Sequence, residues 1–106
     1  LSEAKVKQTY TTPTPSITAS TDAVLIERGR HLATTVSVCV DCHGENLGGQ
    51  VFIDDPALGR IVALNLTKGK NGLGSELSDS DIARVLRYGV KPDGTSVKVM
   101  PADDYQ

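Results

Sequence analysis

Large side chains are scarce in this chain: among 106 residues it has no tryptophan, one phenylalanine, three tyrosines and one methionine. Few bulky groups mean a thin hydrophobic core for what its length makes one small domain. No run of eighteen apolar residues occurs, which excludes a membrane-spanning helix from the sequence, and no signal-peptide pattern opens it. The chain reads as a mature, soluble segment. An excess of either charge is also lacking: eleven basic residues face thirteen acidic ones, for a net charge of −2 and a pI near 5.6. The basic residues are scattered, so nucleic acid finds no electrostatic footprint. Cysteine is reduced to two residues, and both fall in one short motif.

That motif is Cys39-Val40-Asp41-Cys42-His43, a Cys-x-x-Cys-His run of the kind that attaches c-type haem covalently. Two thiols at this spacing reach two vinyl groups on one porphyrin edge, and the next imidazole comes beneath the iron. A His/Met pair is the usual axial set in cytochromes c, and Met100, the single methionine, is placed fifty-seven residues after His43 to complete it. The expected cofactor is one haem c, held by Cys39 and Cys42 and ligated by His43 and Met100. Its apolar surface would fill out a core short of aromatics.

Three plainer readings stand beside this one. A thioredoxin-like redox pair needs a βαβ unit, and no such alternation precedes Cys39. A zinc site from Cys39, Cys42, His43 and His31 has enough donors, but adjacent Cys42 and His43 fit poorly on one tetrahedron. The third is a structural disulfide. Asp54-Asp55 and Asp103-Asp104 read as solvated turn charges rather than catalytic dyads.

Residues 1–21 have the Ser/Thr/Pro composition of a flexible tail or linker, with Pro13 and Pro15 favouring extended backbone. The haem domain is then residues 22–106. Capped by Thr21 or Asp22, the stripe Ala23, Val24, Leu25, Ile26, Gly29, Leu32, Ala33 and Val36 predicts a helix over 23–36. Gly29 within it points to close approach of another helix backbone. His31 lies beside Arg28 and Arg30 and reads as a surface residue. Regular structure is weak from Gly44 to residue 77, where only residues 60–66 suggest an extended segment. Gly72-Leu73-Gly74 is no nucleotide fingerprint, and Asn65-Leu66-Thr67 is a sequon of a kind that recurs by chance. Ser78 followed by Asp79 and Asp81 starts a helix over 79–88, ended by Gly89, and Pro92-Asp93-Gly94-Thr95 is a turn. Arg60, Asn65 and Arg87 are candidate donors to the haem propionates, because buried carboxylates need charge-assisted partners.

Taken together, Glu27-Arg28-Gly29-Arg30-His31-Leu32, the Cys39 to Gly44 run, Asn65-Leu66-Thr67, Leu86-Arg87-Tyr88-Gly89-Val90 and Val99-Met100-Pro101 resemble the class I cytochrome c family, specifically its bacterial monohaem domains. The resemblance implies an all-α fold of small helices and long irregular loops around the haem, with thioether bonds at Cys39 and Cys42, proximal His43 and distal Met100. It implies a periplasmic or extracytoplasmic location, either free or tethered through the N-terminal linker. One-electron transport in a respiratory or photosynthetic chain is the function expected from it, with redox proteins as partners and neither a small-molecule substrate nor enzyme activity. The alternatives are a peroxidase-like haem enzyme or a haem subunit of a membrane-bound dehydrogenase. Family members close with a C-terminal helix that crosses the first at the glycine matched by Gly29. This chain stops six residues past Met100, so that helix is expected to be absent. A membrane-bound complex or a second copy would then cover the Gly29 face, unless the chain is a fragment.

Overall fold

A computed structural model describes residues 2–105. The described chain divides into two compact units, one joining the N-terminal stretch up to Ala19 with the chain from Leu77 onward, the other the continuous segment Ser20–Glu76.

In the first unit, α1 (Glu3–Lys7) begins at Ser2, whose side chain accepts from the Lys5 amide. The following Thr/Pro-rich residues, composed like a linker, are instead bonded into the unit. Tyr10 N donates to Gly94 O at 2.8 Å, Arg84 Nε to Thr12 Oγ1 at 2.8 Å, and Ala19 N to Asp79 Oδ2 at 2.7 Å. Their partners belong to the C-terminal part of the chain, chiefly to the helix Asp79–Tyr88. That helix occupies the span the sequence predicts: Ser78 and Asp81 form a reciprocal capping box, and Gly89 closes the end at φ +67°. Val90 and Ala102 are the buried hydrophobic residues among those described. Past Met100 the chain makes one short 3₁₀ turn, Ala102–Tyr105.

The second unit opens with α2 (Ala23–His31), capped by Asp22, whose Oδ1 accepts from Val24 N at 2.8 Å. The predicted helix continues to Val36, but its last part, Leu32–Val36, widens to i→i+5 bonding, with Ser37 N on Leu32 O at 2.7 Å. Thr34 supplies a reason: its hydroxyl bonds the Arg30 carbonyl at 2.8 Å and competes with the regular ladder. Within its own unit, and among the described residues, Gly29 does not lie under the backbone of another element. A Cβ built there meets nothing within 4 Å.

Next come α3 (Cys39–His43) and an antiparallel hairpin of β1 (Gln50–Asp55) and β2 (Gly59–Ala63), after which the earlier named Asp79–Tyr88 is α4. The hairpin overturns the expected all-α class I cytochrome c fold, since the chain is mixed α/β. Val51-Phe52-Ile53 and Ile61-Val62 are β-branched and aromatic runs suited to a pleated surface. The turn between the strands is set by Asp55, whose Oδ1 accepts from Ala57 N at 2.7 Å and Leu58 N at 2.9 Å, and by Gly59 at φ +93°.

Candidate functional site

Cys39, Cys42 and His43 share α3, a single short helix. Positions three and four apart lie on one helical face, so Cys39 stands in line with both Cys42 and His43. All three side chains are half-buried, and the cysteines are free thiols, which sets aside the disulfide reading. The helix is entered abruptly through Val38 at φ 47°, ψ 38°. A β-branched residue in this left-handed region carries about 1–3 kcal/mol of strain. The surrounding bonds must therefore hold it in place.

Those bonds come mainly from the C-terminal side. Gly44 N donates to Val40 O at 2.9 Å, Gly49 N to His43 O at 2.7 Å, and Gln50 Nε2 to Asp41 O at 2.7 Å, so carbonyls left open at the helix end are met in turn. Gly49 is required where it sits, with φ +88° and a would-be Cβ 2.8 Å from both Ala63 O and Asn65 N. This close approach brings the chain just after β2 against the site.

From that segment the Leu64 carbonyl reaches Nδ1 of His43 at 2.8 Å. A carbonyl can only accept, so Nδ1 carries the proton in neutral His43, and Nε2 keeps its lone pair for another partner. Around the motif, Leu32, Val36, Val38, Leu64 and Leu66 are each at least 36% exposed, and α3 packs directly on the Leu32–Val36 turn. The site thus combines two free thiols, one oriented imidazole donor and open apolar surface.

The other residues singled out by sequence are distributed more widely. Asn65 is occupied within its own loop: its Oδ1 accepts from Thr67 N at 2.9 Å and Thr67 Oγ1 at 2.7 Å, while Nδ2 donates to Lys70 O at 3.2 Å. That local role organises the segment beside Leu64. Arg60 is exposed on β2, opposite Asp54. Met100 and Arg87 belong to the first unit, Met100 half-buried and Arg87 exposed near the end of α4. His31 is exposed on α2. Among the described residues no group of three or more His, Cys, Asp or Glu side chains is gathered that could hold a metal ion, so the four zinc donors do not form a cage.

Two contributors escape sequence reading. Leu64 acts through a backbone oxygen, which has no residue signature, and Gln50 acts through a carboxamide outside any motif. No helix among the described residues is long and apolar enough to cross a membrane. Compared with family models, curated proteins and solved structures, the chain matches none.

Proposed function

We propose that this chain carries one c-type haem and serves as an electron carrier. What supports the reading above all is the His43 imidazole, fixed by Leu64 O with Nε2 free, on the same helical turn as the free thiols of Cys39 and Cys42. A histidine that binds iron commonly gives its other ring proton to a backbone carbonyl or carboxylate, which sets the tautomer and raises ligand basicity. A bound haem c supplies a one-electron Fe(III)/Fe(II) couple.

Cys39 and Cys42 would hold the group by thioether bonds, each thiol adding across one of its two vinyl substituents. His43 Nε2 would ligate its iron. Met100 would supply a further iron ligand, a proposal that rests on the sequence: it is the single methionine, followed by Pro101, which bars helix at that point. Held by protein atoms in this way, the group would supply a one-electron couple between donor and acceptor redox proteins, with no substrate bond made or broken. The location that suits this chemistry is extracytoplasmic.

The test is the intact mass and absorption spectrum of the purified protein after denaturation. Covalent haem appears as a mass increase that survives denaturation and as a haem spectrum that stays with the polypeptide. Cys39→Ala combined with Cys42→Ala loses both. A native chain with no Soret absorption, expressed where cytochrome c maturation operates, would refute the reading.

A further inference from the structure

The two ends of the β1–β2 hairpin converge on α3 by separate bonds. At the start of β1, Gln50 Nε2 donates to the carbonyl of Asp41, the residue between Val40 and Cys42, at 2.7 Å. Just beyond β2, Leu64 O accepts from His43 Nδ1 at 2.8 Å. Gln50 and Ala63 are register partners, so the two contacts are joined across the base of the hairpin. One bond fixes the helix backbone, and the other fixes the imidazole that the helix presents.

From this arrangement we infer that Gln50 is a positioning residue for His43, and that the hairpin base is a clamp setting the strength of the His43–Leu64 hydrogen bond. The inference rests on the proposed role of His43 as an iron ligand only for its redox consequence. Its structural content stands without the haem. Without the Gln50 bond, the end of α3 keeps the Gly49 N–His43 O bond at 2.7 Å beside β1 but loses its hold at the Asp41 carbonyl. Its last turn would then be held at one point fewer and could shift against Leu64 O, and a hydrogen bond near 2.8 Å weakens steeply with distance and angle. A weaker bond at Nδ1 makes Nε2 a poorer electron donor. On the proposed iron that change favours Fe(II), so the midpoint potential rises.

The variants are Gln50→Met, which keeps length and loses the donor, and Gln50→Lys, which restores a donor able to reach a carbonyl. Two readouts are compared with the wild-type full chain: the solvent-exchange rate of the His43 Nδ1 proton by NMR, and the midpoint potential by redox titration. In Gln50→Met the proton is expected to exchange on the order of fivefold faster, the Boltzmann factor of one ordinary hydrogen bond, and the midpoint to move positive. Gln50→Lys should return both towards wild type. If Gln50→Met does not fold, Gln50→Asn, one methylene too short to reach Asp41 O, replaces it with the same expectation. An unchanged exchange rate in the donor-deficient variant, or a change that Gln50→Lys does not reverse, overturns the clamp. Should the wild-type protein carry no covalent haem, the electron-carrier reading fails, while the exchange rates still decide the role of Gln50.

Discussion

Nδ1 of His43 and the carbonyl oxygen of Leu64 stand 2.8 Å apart, joining the end of α3 to the chain leaving the hairpin. The carbonyl dictates the tautomer, so long-range proton–nitrogen correlation spectra should place the His43 ring proton on Nδ1. A proton found on Nε2 would remove the imidazole from its proposed role, because the lone pair would then face Leu64.

The α4 terminus is the next point of leverage. Ser78 Oγ accepts from Asp81 N at 3.1 Å, and Asp81 Oδ2 accepts from Ser78 N at 3.0 Å. Ser78→Ala removes the first bond and should cost about 1 kcal/mol of stability, measured by denaturant unfolding. Asp81→Asn, which keeps an acceptor oxygen for the Ser78 amide, should cost less.

Elements differ in legibility according to whether their signals are local. Both helix caps could be read from sequence, because Asp22 and Ser78 act on amides two or three residues away. The Asp93 turn was legible for the same reason. The hairpin was legible only in its second strand, where the extended segment expected at residues 60–66 overlaps β2; β1 was missed because its apolar run at residues 51–53 shows no clean alternation, and the turn lacks the Asn-Gly or Asp-Gly signal. In the site, the donor atoms of Cys39, Cys42 and His43 were visible as a motif. The orientation of the His43 ring depends on a backbone oxygen twenty-one residues away, and no side-chain pattern encodes that.

Two glycines should respond to alanine in opposite directions. At Gly29, on α2, a Cβ meets nothing within 4 Å, so Gly29→Ala should stabilise by about 0.5–1 kcal/mol through reduced unfolded-state freedom. At Gly72 the backbone is ordinary, with φ −84°, but a Cβ would lie 1.9 Å from Thr67 O. Gly72→Ala must push the loop open and should cost about 2 kcal/mol or more. Paired thermal melts read the contrast, and a neutral Gly72→Ala would mean that the Thr67 loop is not held as described.

Asp93 lies at the turn between Lys91 and Thr95, and the Thr95 hydroxyl at 2.6 Å is the main reason its carboxyl titrates below the ordinary value of 3.8, with the Thr95 amide second. A folded value below the unfolded one means that ionised Asp93 favours the native state above the ordinary carboxylate range. That contribution is lost as pH falls through the depressed value. Thr95→Val removes the hydroxyl and keeps the amide, so carboxyl-carbon NMR titration should show Asp93 moving up towards 3.8 without reaching it. An unmoved titration would assign the depression to the amide.

Met100 offers the sharpest test of the proposed electron carrier. A thioether is a soft ligand and favours Fe(II), whereas imidazole favours Fe(III) more strongly, so Met100→His should lower the midpoint potential while leaving the iron low-spin. Met100→Ala should leave the sixth position to water or to an external ligand, and added imidazole or cyanide should then bind where the wild type resists them. Each variant keeps Cys39, Cys42 and His43, so covalent attachment by mass is the internal control. If Met100→His and Met100→Ala both retain the wild-type spectrum and potential, another side chain holds the sixth position. His31, the chain's only other histidine, would be replaced next.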